Sequence, residues 1–252
     1  MLQSIFAKSG FGWATRALGF VYLFLLAFAN VLIRSRLPPK PFSRENVMPD
    51  LRMFKDLTLV IMTAGVFLIE WGMFMPITYI TSFALRTGMR SSLTYQLLAI
   101  FNVGSFGRWI PGHIADAIGR VKTTTLHIFL SMIATFVFWL PASLVSLSVS
   151  TPLIIVYAVV FGYSSGSNIS LAPVCFGELC KTEDYGRYMA TCFTIVGFGM
   201  LVGIPIGGGI LQADGGNYIG LICFTGACYT MGMIFFVWTR VRVVGWGIRS
   251  FY

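Results

Sequence analysis

Seven stretches of this chain are each apolar over about the twenty residues a helix needs to cross a bilayer. They lie near 12–33, 57–80, 93–115, 124–143, 152–174, 188–211 and 218–239. Such a chain has little conformational freedom. Lipid offers no partners to backbone N–H and C=O groups, so each stretch must satisfy its own as a helix. The expected fold is all-α, a polytopic membrane protein of about seven transmembrane helices. Charged residues make up only 11% of the sequence and the mean hydropathy is +0.80, whereas a soluble domain carries about 25% charged residues. The first stretch is too long for the apolar region of a signal peptide, and no small-residue cleavage site follows it.

The basic residues sort by side of the membrane. Counting alternate loops, one side receives Arg34, Arg36, Lys40, Arg44, Arg52, Lys55, Arg120, Lys122, Lys181, Arg187, Arg240, Arg242 and Arg249. The other side receives only Lys8, Arg86 and Arg90, while Arg16 and Arg108 fall within spans. The positive-inside rule then places the N-terminus outside and the C-terminus in the cytoplasm. The net charge of +9 is thus a topology signal, and no nucleic-acid partner is expected.

One polar connection is long. RSRLPPKPFSRENVMPDLRMFKD, residues 34–56, holds four prolines and six basic residues and reads as an irregular cytoplasmic linker. It sets one helix, 1–33, apart from a six-helix unit, 57–240, with a short cytoplasmic tail at 241–252. The five cysteines, Cys175, Cys180, Cys192, Cys223 and Cys228, form no CxxC or Cys/His pattern, so neither a disulfide framework nor a metal is expected. His113 and His127 have no ligand-spaced companions. Without a catalytic triad, nucleotide loop or metal cluster, neither an enzyme nor a cofactor is expected.

Charge returns where the third span ends, in GRWIPGHIADAIGRVK (107–122). Gly112 and Gly119 remove side chains where two helices and a tight turn approach. Asp116 and Arg120 can pair with each other or with neighbouring helix ends, making a latch that differs between two states; a charged turn that only fixes topology is the alternative. The pattern Gly112-x-x-x-Asp116-x-x-Gly119-Arg120 resembles the loop signature of the major facilitator superfamily. There the signature follows the second helix of each six-helix half. The resemblance implies that these spans are equivalent to helices 6 to 12 and the linker to the central cytoplasmic loop.

A narrower resemblance runs from the first span to about residue 240. Gly107-Arg108-x-x-Pro111-Gly112, GMFMPITYI (72–80), ELCKTEDYGRY (178–188) and GIPIGG (203–208) are similar to fungal monocarboxylate-permease-like transporters. This implies a proton-linked or facilitative carrier of small organic anions or related solutes; some relatives carry a vitamin. In animal members an aspartate precedes the arginine equivalent to Arg108 by one turn, and here that position is Gly104. A coupling scheme that uses such an Asp–Arg pair is not available on this helix.

Several residues are candidates for solute contact. Arg108 lies roughly 10 Å inside the cytoplasmic end of its span. Gly104, Ser105 and Gly112 share its face, so it suits either the gripping of a carboxylate or helix pairing. Glu70 stands roughly 20 Å into the second span, where an acid is either a proton- or solute-handling group or a hydrogen-bonded packing residue. Ser164, Ser167 and Asn168 form a polar stripe suited to a solute path or to interhelical glue. Gly203, Pro205, Gly207 and Gly208 would let the sixth span flex, or only pack closely.

These expectations combine into a secondary carrier working by alternating access, with the lipid bilayer, a small solute and in some schemes a proton as partners. The chain is expected to be a piece of a longer carrier, inactive without the missing N-terminal half, and the plasma membrane is the expected host. Span counting and terminal orientation alone would favour the alternative, a seven-transmembrane receptor, against which stand the Gly112–Arg120 loop pattern, the glycine-rich sixth span and the short loops.

Overall fold

A computed structural model describes residues 2–34, 49, 51–105 and 109–245. The chain divides into two units, Met1–Arg44 and Glu45–Tyr252. The first is one helix, α1 (Leu2–Leu32), which kinks at Gly10, where φ is 75°. A positive φ costs glycine nothing and would strain any residue with a Cβ.

The second unit consists of helices joined by short turns among its described residues. After a 3-10 turn (Leu51–Lys55) come α2 (Leu57–Arg86), α3 (Ser91–Ser105), α4 (Trp109–Ile118), α5 (Arg120–Ala142), α6 (Leu147–Leu179), α7 (Thr182–Ala213) and α8 (Ile219–Val244). Among the described residues six helices are long and apolar enough to cross a membrane: Gly10–Leu32, α2, α5, α6, α7 and Ile219–Val243 of α8. The span expected at 93–115 is described as α3 and α4, either side of 106–108. An all-α polytopic membrane protein is therefore what the chain builds.

Local sequence explains where the helices start and stop. Asp56 caps α2, its carboxylate accepting from the Thr58 N–H at 2.8 Å. At the other end of α2, Met89 N–H donates to Ala84 O and Gly88 N–H to Leu85 O, a pattern that needs the left-handed φ of 89° at Gly88. Gly215 and Gly216 close α7 in the same way. Within α5, residues Thr135–Trp139 widen to a π-turn, and the Leu140 N–H reaches back to Thr135 O. Pro141 follows immediately and cannot supply the next regular bond.

Helix α2 packs along α8 and α7, α3 and α5 both pack on α6, and α5 also packs on α8. The odd and even connections gather at two ends, named here the Arg120 end and the Tyr218 end. Small residues allow the closest approaches: Gly65 and Gly72 of α2 lie against Phe235, Phe236, Cys228 and Tyr229 of α8. Gly162 of α6 lies against the Phe101 backbone carbonyl of α3.

Candidate functional site

At the Arg120 end the chain leaves α4, turns at Gly119 and enters α5. Gly119 has φ 101° and ψ 144°, so it is a glycine for the turn itself. Among the described residues no atom lies within 4 Å of where a Cβ of Gly112 would stand. Arg120 Nη2 stands 3.9 Å from Asp116 Oδ1, both side chains well exposed. Its nearer partner is Glu178, whose Oε1 lies 3.4 Å from Arg120 Nε and whose side chain is only 20% exposed. Arg120 thus ties the start of α5 to the end of α6. An exposed pair four residues apart contributes at most about 1 kcal/mol, so the tie to Glu178 is the one that can hold helices together.

Glu178 was visible in the sequence as the acid that opens ELCKTEDYGRY. Nothing in that stretch, however, indicated which cation it meets.

Deeper in the unit, α2, α5, α6 and α8 line a small, partly open hollow bordered by Val66, Ile69, Glu70, Thr124, Asn168, Ala172 and Phe236. Its free volume for a water-sized sphere is about 10 Å³, which is room for about one water molecule. Glu70 is 3% exposed and Asn168 2% exposed. Neither the amide nitrogen nor the amide oxygen of Asn168 has a hydrogen-bond partner. The Thr124 hydroxyl donates to Arg120 O at 2.8 Å and lies 3.2 Å from the Cys175 sulfur. No basic side chain among the described residues forms an ion pair with Glu70.

The rest of the expected polar stripe is spent on packing. Ser164 accepts from the Ser131 hydroxyl of α5 at 2.7 Å and donates to Val160 O at 3.0 Å. Ser167 donates to Tyr163 O at 2.8 Å. Both are fully buried. Only Asn168 of the three reaches the cavity beside Glu70.

Helix α7 presents its glycines to a column of large side chains on α2. Gly199 meets Phe67, Gly203 meets Trp71, and Gly207 meets Met75 and Tyr79, with Gly208 beside the Tyr79 hydroxyl. That hydroxyl donates to Ile204 O at 2.8 Å, next to Pro205, which stands inside an unbroken helix. The expected flexing residues therefore form a smooth contact track along α2. Arg108, with its neighbours Gly104 and Ser105 as side chains, lies outside the described residues.

No protein-family model matches the chain. Among curated proteins, an MFS-type transporter, opdF, of Penicillium oxalicum is 35% identical over 253 residues, which take in 99% of this chain and 58% of that protein. The riboflavin transporter MCH5 of Saccharomyces cerevisiae is 33% identical over 273 residues, 95% of this chain and 51% of that protein. Among solved structures, the major facilitator proton:xylose symporter XylE, bound to 6-bromo-6-deoxy-D-glucose, superposes with a TM-score of 0.58 at 15% identity. The match covers 75% of this chain and 44% of that one. That likeness speaks for the fold. The chain spans about half the length of the curated relatives it matches.

Proposed function

The chain belongs to the major facilitator superfamily, and from that premise we propose that it forms the second six-helix half, with one preceding helix, of a secondary carrier for small organic solutes. The observation that carries this reading is the cavity. The cavity beside Glu70 leaves about 10 Å³, whereas a site for an organic molecule needs about 300 Å³ or more. That cavity is too small for the solute, and the chain matches only about half the length of its relatives, so the reading puts the solute on a face that a second half completes. Similarity to transporters along nearly the whole chain outweighs span counting, which taken alone would suit a receptor.

In this reading the N-terminus lies outside and the C-terminus in the cytoplasm of a plasma-membrane carrier. Arg108 grips the carboxylate of a small organic anion such as a monocarboxylate. Asp116, Gly119 and Arg120, with Glu178 added, form the latch near the cytoplasmic surface, and Gly112 gives it the open space in which to shift. Gly203, Pro205, Gly207 and Gly208 let α7 slide on α2. Ser164 and Ser167 act as interhelical glue, while Glu70 and Asn168 handle a proton apart from the solute. One relative is named a riboflavin transporter, which makes an uncharged flavin the second solute class to test.

The test is uptake into proteoliposomes. The 252-residue chain alone should move neither radiolabelled lactate nor riboflavin, and reconstitution together with an N-terminal half from one of the full-length relatives should restore uptake of one of them. Uptake by the chain alone would overturn the half-carrier reading. Anion uptake that survives Arg108→Ala would remove Arg108 from the solute site.

A further inference from the structure

We propose that the seam between α5 and α8 seats one phospholipid of net negative charge at its Arg120 end, the phosphate held between Lys122 and Arg240 and the acyl chains lying along the seam. The seat needs only that the chain spans a membrane, and it stands whether or not the carrier reading does.

The two cations are brought together by the way the helices run. The Phe136 ring of α5 lies against Gly226 of α8. Nearer the Arg120 end, Thr124 and Phe236 of the same two helices border one hollow, so the helices are antiparallel neighbours over that length. Lys122 stands 14 residues before Phe136 and Arg240 stands 14 residues after Gly226. Fourteen residues are about four helical turns. Each cation therefore returns to the face of its helix that meets the other helix, about 21 Å beyond the contact of Phe136 with Gly226. Both are half-buried.

Two cations on one seam repel each other, and the acids of this end are engaged elsewhere. Asp56 accepts from the Thr58 N–H, Asp116 and Glu178 stand beside Arg120, and Glu183 and Asp184 lie in the first turn of α7. Among the described residues no acid pairs with Lys122. An anion between the two cations relieves the repulsion and accepts a charge-assisted hydrogen bond from each. A headgroup carrying its own ammonium would bring a third cation to the seat, so a net-negative headgroup is favoured.

Beneath the cations the surface turns apolar. Leu126 and Phe129, four and seven residues on from Lys122, share its face of α5 and are exposed. On α8, Val237 and, three residues deeper, Ile234 are exposed. All four lie within roughly 10 Å of the level of the cations, inside the roughly 15 Å of hydrocarbon that one leaflet supplies. Trp238, exposed and stacked on Phe235 with ring centroids 6.5 Å apart, stands at the depth where amphipathic rings gather in membrane proteins. Free phosphate would use the cations and leave this apolar surface bare; a lipid matches both. Basic pockets between membrane helices hold anionic headgroups on the same principle.

The experiment is native mass spectrometry of the full chain, released from detergent micelles holding equimolar dioleoylphosphatidylglycerol and dioleoylphosphatidylcholine. One phosphatidylglycerol should bind per chain, preferred over phosphatidylcholine by about tenfold or more. Lys122→Gln and Arg240→Gln should each lower that preference about fivefold. Arg242→Gln, one helical step past the seam and about 200° around α8 from Arg240, should leave it unchanged. Equal binding of the two lipids would overturn the proposal. So would an equal loss in Arg242→Gln, in favour of a diffuse charged surface, or displacement of the lipid by an equal concentration of glycerol phosphate, in favour of a free-anion site. If Lys122→Gln or Arg240→Gln fails to fold, phosphatidylglycerol with a diazirine in its acyl chain is photocrosslinked to the unmutated chain. Adducts on peptides covering 123–133 and 230–241 would uphold the seat, and adducts only elsewhere would overturn it.

Discussion

The interior of the six-helix unit is built from rings towards its Tyr218 end and from small polar groups towards its Arg120 end. Tyr218, Phe83, Trp139, Tyr157 and Phe161 follow one another with ring centroids between 5.1 and 6.1 Å apart. Past Tyr229, which meets Phe161 edge-on at 5.5 Å, come Ser131 with Ser164, the Glu70–Asn168 cavity, Thr124 with Cys175, and Arg120 with Glu178. Rings fill space by many weak contacts that no other arrangement reproduces. Interhelical hydrogen bonds in membranes contribute only about 0.6 kcal/mol each, so they can exchange partners at little cost. The Tyr218 end is thus the rigid end of the unit and the Arg120 end the one able to rearrange.

The largest effect expected from this contrast is at Trp139, which is fully buried, stacked on Tyr157 and edge-on to Phe83. Trp139→Ala should cost about 3–5 kcal/mol, read as equilibrium unfolding of the purified chain in mixed micelles. A loss below about 1 kcal/mol would show that the ring column is not what holds this end. Gly162→Val comes next. A side chain there runs into the Phe101 carbonyl, a backbone atom that moves only if α3 moves, so about 1–3 kcal/mol should be lost. Insertion of valine without loss would mean that α3 and α6 are free to separate.

The polar end should answer differently to the same assay. Glu178→Gln removes the charge opposite Arg120 and should cost about 1 kcal/mol or less, given how exposed Arg120 is. In the same background Asp116→Asn should add almost nothing. Asn168→Leu should change stability by less than about 1 kcal/mol in either direction, because it replaces an unpartnered amide with an apolar group of similar size. A loss at Asn168 as large as that at Trp139 would erase the distinction between the two ends.

Parts of this arrangement are legible in the sequence for physical reasons. Lipid forces each apolar stretch into a helix, so the spans could be read directly, and a charge such as Glu70 stands out against its neighbours. The helices overrun the apolar stretches because nothing obliges a helix to stop at the membrane surface: α6 runs over Leu147–Leu179 around a stretch read at 152–174. Helix pairing was not legible, since an apolar side chain looks the same whether it faces lipid or Gly162. The partner of Arg120 was hidden for the same reason. Asp116 is near in sequence, whereas Glu178 is near only once α5 and α6 have packed. The polar stripe Ser164, Ser167, Asn168 could be seen as a stripe. Serines bond readily to the carbonyl four residues back, as Ser164 and Ser167 do, and that left Asn168 alone with its amide unspent.

The smallest effect tests whether the loop joining α6 to α7 belongs to the rearranging end. Cys180 sits between these helices, half-buried, with its thiol directed at Phe176 O at 3.1 Å. Burial first, and then the neighbouring Asp184 carboxylate, push the Cys180 thiol up from its ordinary range. A raised thiol holds less thiolate at a given pH, and the thiolate is the reactive form. Asp184→Asn removes the like charge and leaves the burial, so more thiolate forms at the same pH. Alkylation of Cys180, followed by mass spectrometry of its peptide at mildly alkaline pH, should quicken by about twofold. Glu178→Gln should quicken it too if releasing Arg120 loosens the end of α6, because exposure then relieves the larger of the two causes. A rate unmoved by Glu178→Gln but raised by Asp184→Asn would confine the effect to charge, and the Arg120–Glu178 tie would then bind helix ends without governing how the loop beyond them opens.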